Sequence, residues 1–300
     1  MNPAFVLPDA WRTVRLVLIR PPGMIHASAV AEVMESLMYG FRALGILADM
    51  AENEIKADAI NIVFLSFYLS EQDVQKLPPN SIIYNFEQVG ADAVILNNPS
   101  FMTALGGHCV WDYSFRNIER LRPLIMHDRL QLVPVGYVPA LTRIPHAPVQ
   151  DIDVLFYGSG TERRRIILTG LRQTGIHLAN VFGAYGPARD ALIARAKVVL
   201  NIHSYETKIM EVVRISYLLA NRKAIVSELD LDTEMEPDLR DAVAGVPFDG
   251  LIAECHRLIA DAAARQQLED RGYGLFQKRD LIPILRQAIA EAADPPDQAG

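Results

Sequence analysis

Apolar and polar positions follow one another along this chain in the order strand, loop, helix. Residues 14–19, VRLVLI, form a short apolar run rich in β-branched residues, which predicts a buried strand. After a loop that contains two prolines, an amphipathic pattern predicts a helix from about Ala27 to Leu44, and Gly45 ends it. Further strands are predicted for the runs ILADM, AINIVFLSF, SIIYNF, HCVWDYS and LQLVPVGYVP.

The second half of the chain repeats this order of elements. Strands are predicted for DVLFY, IHLANVF, Val198–Ile202 and AIVS, and helices for ERRRIILTGLRQTG, near Ala188–Ala196 and from about Thr207. Helical patterns continue over residues 251–292. Largely apolar runs such as Val198–Ile202 suit parallel strands that helices cover on both faces. The sequence therefore predicts an α/β fold with parallel sheets.

A proline-rich segment separates the two halves. Residues 139–150, PALTRIPHAPVQ, contain three prolines and follow neither a helical nor a strand period, which is typical of a linker. We therefore predict an N-terminal domain over residues 1–140, a linker over 141–150 and a C-terminal domain with a helical tail over 151–300. Ligands of such domains bind beyond the carboxyl ends of strands and in clefts between lobes.

Composition and charge argue against several classes of protein. Half of the 300 residues are hydrophobic, yet no apolar run approaches the length of a membrane span, and the opening lacks the order of a signal peptide, so we expect a cytoplasmic protein. Cys109 and Cys255 lie far apart, which disfavours a disulfide scaffold and a zinc module. The formal net charge of −7 argues against binding nucleic acid, but a local cationic patch can still hold a small anion.

The first candidate site follows the apolar run at Val198–Ile202. Lys208, Glu211 and Arg214 are spaced by three residues, which places them near one face of the predicted helix, and His203 precedes them. A cation, a carboxylate and a second cation beside a helix N-terminus favour an anionic ligand such as a phosphate group. The same spacing also fits a solvated helix face with ion pairs, and the pattern leaves both interpretations open.

A second candidate site is the loop after DVLFY. Gly158 and Ser159 stand between a buried strand and a helix, where backbone N–H groups can hold phosphate. Arg163 occupies the place of the third glycine of the dinucleotide fingerprint, and no acidic residue follows about 20 positions on, so a nicotinamide cofactor is disfavoured. Arginines 163–165 suit phosphate oxygens, although a solvated first helical turn is the alternative.

The first half offers a candidate base and several aromatic rings. His26 opens the long helix and Glu32 follows on its second turn, so either is a candidate general base, with a capping or packing role as the alternative. Trp111, Tyr113 and Tyr137 stand at strand ends, where they can stack on a sugar or pack in the core.

A short acidic motif lies after the strand AIVS. Asp230-Leu231-Asp232 matches the sequence pattern of the DxD metal motif, which one class of sugar-transfer enzymes contains. The residues that follow it have the composition of a solvated helix start, which favours a surface cluster over a metal site. We therefore expect no bound metal.

Several runs of the sequence resemble a known family. IIYNFEQ, VWDYS, VPVGYVP, DVLFYGSGTERRR, VFGAYGPARD and VVLNIHSYETKIMEVVRISYLLANRKAIVSE are similar to bacterial GT-B type glycosyltransferases of family 1 or group 1, related to the CgeB-like proteins. The resemblance covers nearly the whole chain and implies two facing Rossmann-type domains, the first for the acceptor and the second for a nucleotide-sugar. The Glu-x7-Glu pattern of that group is not intact, because a leucine replaces its second glutamate.

The resemblance implies transfer of a sugar, as in hexosyltransferases, from a nucleotide-sugar to a hydroxyl group of a glycan, lipid-linked or protein acceptor, with no cofactor. A sugar-nucleotide epimerase and a non-catalytic two-lobed binding protein are the alternatives. The sequence leaves open the donor, the acceptor, the stereochemical course and whether the chain forms a homo-oligomer. The implied donor contacts are Gly158, Ser159, Arg163, Phe182, Tyr185, His203, Lys208, Glu211 and Arg214; the acceptor contacts are Trp111, Tyr113 and Tyr137; the catalytic candidates are His26 and Glu32.

Overall fold

The computed structural model describes residues 5–90, 93–205 and 207–293, and the chain forms two compact units. The first unit comprises Met1–Gly136 together with Asp280–Gly300, and the second unit is Tyr137–Arg279. Within the described part of the chain, none of the helices combines the length and the apolar character of a membrane span.

Strands and helices alternate through both units. The strands are β1 Thr13–Leu18, β2 Leu47–Glu52, β3 Ile60–Phe64, β4 Ile82–Asn85, β5 Cys109–Asp112, β6 Leu130–Leu132, β7 Ile152–Tyr157, β8 Leu178–Val181, β9 Ala196–Asn201, β10 Ile225–Glu228 and β11 Ala244–Val246. The α-helices are α1 Ala31–Ala43, α2 Glu71–Val74, α3 Pro99–Gly107, α4 Phe115–Leu121, α5 Glu162–Gln173, α6 Gly186–Arg195, α7 Val212–Ala220, α8 Leu251–Ala260, α9 Ala262–Gln277 and α10 Leu281–Ala293.

Each unit is built on one sheet whose strands are all parallel. The first sheet has six strands in the order β2-β1-β3-β4-β5-β6, and the second has five in the order β11-β10-β9-β7-β8. Every residue of β3 is buried, as are Val198–Leu200 of β9, because helices cover both faces of each sheet. The prediction of parallel sheets in both halves is therefore confirmed.

The start of α7 differs from the sequence prediction. The helix begins at Val212, five residues after the predicted start at Thr207. Lys208 has a φ of 48°, its carbonyl accepts a hydrogen bond from Glu234 N at 2.9 Å, and Met210 N donates to the Glu234 carbonyl at 3.0 Å. Because this short parallel bridge uses the backbone groups that a helix would need, the expected common helix face of Lys208 with the residues of α7 is wrong.

The chain crosses between the units at places that differ from the expected boundaries. The helix α10, which the sequence analysis assigned to residues 151–300, packs against α1 in the first unit. A Cβ atom on Gly40 would lie only 2.7 Å from Leu285 Cδ1 and 2.9 Å from Leu281 Cδ2, so glycine permits this close helix contact. The helical pattern of α10 shows that one face is apolar, but it does not show which sheet that face covers.

The proline-rich segment belongs to the second unit. The backbone N–H groups of Arg143 and Ile144 both donate to Asn221 Oδ1 at 2.7 Å. Further along, Ala147 N donates to the carbonyl of Ala194 at 2.9 Å. These hydrogen bonds attach the segment to the amino side of the second sheet, whereas the sequence predicts a linker there.

A buried charged pair lies under this segment. Lys223 and Glu269 are both buried, and Lys223 Nζ has no hydrogen-bond partner within the described residues. Burial lowers the pKa of Lys223 to about 8, against the opposing charge of Glu269. Burial likewise raises the pKa of Glu269 to about 7, although Lys223 and Arg265 act to lower it.

This raised pKa predicts a pH-dependent stability. The native state holds a proton on Glu269 more tightly than the unfolded state, so the group's stabilising contribution is complete below about pH 4.5 and is lost as the pH rises through about 7. In the variant Glu269→Gln this loss is absent. We expect its unfolding free energy to rise relative to the wild type by on the order of 2–3 kcal/mol between pH 4.5 and 7.5.

Urea unfolding at a series of pH values measures the effect. Glu291→Gln, which changes an exposed glutamate of α10, is the matched control and should follow the wild type at every pH. Parallel profiles for Glu269→Gln and the wild type would contradict the prediction.

Candidate functional site

Polar residues gather at the carboxyl edge of the second sheet. Gly158 and Ser159 follow β7, His203 follows β9, and Glu228 is the last residue of β10. Since all strands of this sheet are parallel, these ends lie at the same edge. This edge is where ligands bind in open α/β sheets.

Arg164 is buried at the centre of this edge. Its Nε and Nη2 donate to the carbonyl of Ile202 at 3.0 and 2.8 Å, and its Nη1 donates to the carbonyl and the Oγ of Ser159 at 3.0 and 3.1 Å. Burial and the charge of Arg214 lower the pKa of Arg164 to about 10, so the side chain stays protonated at neutral pH. Arg164 therefore joins the loop after β7 to the end of β9.

Glu211 provides the compensating negative charge. Its Oε2 accepts hydrogen bonds from Asn201 Nδ2 at 2.9 Å and from His203 Nδ1 at 3.0 Å, and its Oε1 lies 3.8 Å from Arg164 Nη2. Burial alone raises the pKa of Glu211, but His203 and Arg214 lower it more, so the pKa lies below its ordinary value. The carboxylate is ionised at neutral pH and stands at the N-cap of α7, where the helix dipole favours it.

Arg214 lies beside Gly158. Its Nη1 donates to Asn201 Oδ1 at 2.6 Å, and its guanidinium carbon is 5.1 Å from the centre of the Tyr157 ring. A Cβ atom on Gly158 would come within 2.9 Å of Arg214 Nη2, and the φ of Gly158 is 151°, so both space and backbone favour glycine there. Among the described residues, Arg214 Nε has no hydrogen-bond acceptor.

Lys208 is held by the acidic motif that the sequence analysis singled out. Its Nζ donates to Asp230 Oδ2 at 2.7 Å and to Asp232 Oδ1 at 3.1 Å. These two hydrogen bonds raise the pKa of Lys208. The Asp-Leu-Asp motif thus binds a lysine of its own chain in this structure.

Arg163 is joined to Glu228. The two side chains form a close ion pair, and the Arg163 guanidinium stacks over the Phe248 ring at 4.0 Å. Glu228 is fully buried and also accepts a hydrogen bond from the backbone N–H of His203 at 3.1 Å. Glu228 was not among the residues predicted from the sequence, and Arg164 was predicted only as one of three arginines suited to phosphate oxygens. The available signal for Glu228 was a carboxylate directly after the apolar strand run AIVS.

Two aromatic residues stand beyond β8. Phe182 is 62% exposed, and Tyr185 is half-buried at the N-cap of α6, where burial raises its pKa. Because β8 pairs with β7, both rings lie on the β8 side of the Gly158 loop. An exposed ring in this position can stack on a planar ligand.

The predicted aromatic contacts of the acceptor are core residues in the structure. Trp111 is completely buried on β5, donates from Nε1 to Gln131 Oε1 at 2.7 Å and stacks on Trp11 at 6.1 Å between ring centres. Tyr113 is buried and stacks on Phe86 at 5.3 Å. These rings pack against other side chains instead of offering a face to a sugar, because β5 lies inside the sheet and helices cover it.

The remaining predicted residues lie in different units. Tyr137 is buried in the second unit, with its hydroxyl 3.0 Å from Thr142 Oγ1 and 3.1 Å from the hydroxyl of Tyr273. In the first unit, His26 is half-buried in a 3₁₀ segment, Ile25–Val30, and Glu32 is buried in the first turn of α1. The expected helix from Ala27 therefore starts as a 3₁₀ turn before α1 begins.

Sequence comparison finds distant relatives. No family model matches the chain. Three uncharacterised proteins of Acanthamoeba polyphaga mimivirus are 25, 26 and 31% identical over 189, 166 and 108 residues, or 61, 52 and 35% of this chain. These alignments span 25, 51 and 12% of the relatives, so the chain corresponds to about half of one and a quarter or less of the others.

Structural comparison identifies the fold. Anabaena HepE, solved with UDP and glucose, has a TM-score of 0.61 and 10% identity, covering 94% of this chain and 99% of its own. A glycosyltransferase involved in avilamycin A biosynthesis gives 0.57 and 15%, with 94 and 97% covered. WaaG, a glycosyltransferase involved in lipopolysaccharide biosynthesis, gives 0.55 and 10%, with 96 and 100% covered. The chain has the fold of the GT-B glycosyltransferases, as the sequence predicts.

The position of Glu211 predicts a large effect of removing its charge. In Glu211→Gln, Arg164 and Arg214 lose their common carboxylate and repel each other in a poorly hydrated site. We expect a loss of about 3 kcal/mol in unfolding free energy at pH 7. Because the pKa of Glu211 is lowered, the native carboxylate stabilises above about pH 4.5, and the difference between the two proteins shrinks as the pH falls below that value.

Denaturant unfolding of both proteins at pH 7 and pH 4 measures this difference. Glu162→Gln is the matched control, since its ion pair with Arg165 is 69% exposed on both sides and should change stability by less than about 0.5 kcal/mol. An unfolding midpoint of Glu211→Gln equal to that of the control would contradict the assigned role of this carboxylate.

Proposed function

We propose that the second unit binds the diphosphate of a nucleotide-sugar at the carboxyl edge of its sheet and that the protein transfers the sugar to an acceptor hydroxyl. The observation that carries this proposal is the guanidinium of Arg214 beside Gly158, with an Nε that lacks an acceptor among the described residues. The fold supports it, because HepE, which shares the fold, was solved with UDP and glucose.

The charges around Gly158 favour a phosphate group. Arg164 and Arg214 carry two positive charges, and Glu211 carries one negative charge, so the cluster has a net positive charge. Arg164 uses its N–H groups on backbone and serine oxygens, whereas Arg214, among the described residues, makes one side-chain hydrogen bond and has no acceptor at Nε. A guanidinium group in this state suits bidentate binding of phosphate oxygens.

Lys208 is the second cation assigned to the diphosphate. To reach a phosphate it leaves Asp230 and Asp232, and this exchange costs little because the pair is partly exposed to water. We assign binding of the sugar and ribose hydroxyl groups to Ser159, His203 and Glu211. Glu211 Oε1 is buried without a hydrogen-bond donor among the described residues, which a ligand hydroxyl or a water can supply.

The nucleobase is assigned to the β8 side of the site. Phe182 offers an exposed ring there, and Tyr185 stands at the start of α6. Arg163 has a supporting role in this proposal, since it holds Glu228 and thereby the backbone of His203. Two further parts of the proposal rest on the sequence resemblance. They are that the protein belongs to the CgeB-like group and that it transfers a hexose.

The reaction needs cations that stabilise the leaving diphosphate and a base that takes the proton of the acceptor hydroxyl. The bond between the anomeric carbon and the phosphate oxygen breaks, and Arg214 and Lys208 neutralise the leaving diphosphate, so we propose a metal-independent transfer. The acceptor oxygen attacks the anomeric carbon and gives up its proton. In an inverting reaction His26 or Glu32 takes that proton; in a retaining reaction an oxygen of the donor phosphate takes it, and His26 positions the acceptor.

Two glycine variants test the donor site. In Gly158→Ala the new Cβ collides with Arg214 and the backbone is strained, so we expect the affinity for UDP to fall by about tenfold or more. Gly160→Ala is the matched control, since no atom lies within 4 Å of its added Cβ, and its affinity should stay within about threefold. Titration calorimetry with UDP, first with a chelator and then with magnesium, measures both.

Four outcomes would contradict this proposal or favour one of its alternatives. Binding that requires magnesium contradicts the metal-independent site, and equal affinities of the two variants contradict the role of Arg214. Incubation with UDP-glucose alone, followed by chromatography, identifies an epimerase if a second nucleotide-sugar forms without an acceptor. UDP binding without any turnover across an acceptor panel would favour a binding protein.

A further inference from the structure

The ring of Tyr157 interacts with two arginines of the second unit. Tyr157 is the last residue of β7, directly before Gly158, and it is half-buried. The guanidinium carbon of Arg214 lies 5.1 Å from the centre of the ring, and that of Arg189, on α6, lies 6.0 Å from it. Both distances fall within the range of about 6 Å over which the face of a ring attracts a cation. The proposed reaction uses Arg214 but neither Tyr157 nor Arg189.

The backbone of Tyr157 has a defined position at the carboxyl edge of the second sheet. Tyr157 pairs with Val181, the last residue of β8, and Gly158 N donates to the carbonyl of Val181 at 3.1 Å. The residue that carries the ring is therefore held by the sheet itself, directly beside the glycine that Arg214 approaches.

Arg189 is buried and has a carboxylate of its own. Its Nε and Nη2 donate to Asp190 Oδ1 at 3.2 and 2.8 Å. The other oxygen of Asp190 accepts a hydrogen bond from the Tyr217 hydroxyl at 2.8 Å, and Arg143 Nε donates to that hydroxyl at 2.9 Å. The Arg189 guanidinium also lies 4.7 Å from the centre of the Tyr217 ring. Contacts with α6, α7 and the proline-rich segment thus fix Arg189.

Arg214 has fewer restraints than its neighbour Arg164. In the part of the chain that the structure describes, the Arg214 side chain makes one hydrogen bond, from Nη1 to Asn201 Oδ1 at 2.6 Å, and its Nε has no acceptor. One hydrogen bond does not fix the plane of a guanidinium group. Stacking on a ring fixes that plane and leaves the N–H groups along the edge for phosphate oxygens.

We propose that Tyr157 is a positioning residue of the donor site. Its ring orients the Arg214 guanidinium toward the diphosphate, and Arg189, fixed by Asp190, supports the ring. The inference rests on the proposed function for the identity of the ligand. It gives Tyr157 an effect on affinity that requires Arg214, instead of a contact with the ligand itself.

A cycle of variants tests this dependence. The probe is the nucleotide that the wild type binds most tightly among UDP, dTDP, ADP and GDP, titrated by ligand-observed NMR. We expect Tyr157→Leu to weaken its binding by about fivefold or more, because the Arg214 guanidinium loses its orientation. In the Arg214→Gln background the same change should weaken binding by less than about twofold, since no guanidinium is left to orient.

Two further variants serve as controls. Tyr157→Phe keeps the ring, and we expect its affinity to stay within about twofold of the wild type. Tyr39→Leu makes the same exchange as the test variant at an exposed tyrosine of α1 in the first unit, and it should leave the affinity unchanged.

A change in the electrons of the ring gives a second measurement that does not alter its packing. 4-Cyanophenylalanine in place of Tyr157 draws negative charge away from the face of the ring and so weakens the attraction for a cation. We expect it to bind the probe about threefold more weakly than Tyr157→Phe does. A role in packing alone predicts equal affinities, because the two rings fill the same space. This comparison decides the question by itself if Tyr157→Leu does not fold.

The outcomes separate this inference from the proposed function. If Tyr157→Leu weakens binding equally with and without Arg214, the ring does not act through that arginine, and the positioning role is overturned while the donor site stands. Equal affinities of the cyano and phenylalanine variants overturn it as well. If none of the four nucleotides binds the wild type, the proposed function is overturned and the positioning role with it.

Discussion

The cluster of charged residues at the carboxyl edge of the second sheet depends on one buried carboxylate. Arg164 and Arg214 lie close enough for the charge of one to lower the pKa of the other, and in a poorly hydrated site such a pair repels strongly. Glu211 compensates for them while it accepts hydrogen bonds from the end of β9. The start of α7, the end of β9 and the loop after β7 are therefore held together around a single negative charge, and the space beside Gly158 depends on it.

The sequence allowed the architecture to be predicted because parallel strands leave a simple pattern. Runs such as VRLVLI and Val198–Ile202 are apolar at most positions, since helices cover both faces, and their short length and β-branched residues favour a strand. The edge where ligands bind was predictable for the same reason, because polar residues such as Ser159 and His203 directly follow those runs.

The distribution of roles within the site was not predictable. Arg163 and Arg164 are neighbours on one helix, but the turn of about 100° between them leaves the first 42% exposed and the second 3% exposed. Lys208 lies outside α7 because its backbone pairs with Glu234, far away in the sequence. Likewise, the sequence around Trp111 does not show how deeply the ring of this residue is buried. These outcomes depend on tertiary contacts that local patterns do not contain.

The contact between Gly40 and α10 has a consequence for how the chain is made. The first unit consists of two stretches that are separated in sequence by the entire second unit. During synthesis every residue of the second unit is therefore available before α10 leaves the ribosome, while the apolar side of α1 around Gly40 still lacks Leu281 and Leu285. The unit whose synthesis begins first is the one whose folding is completed last.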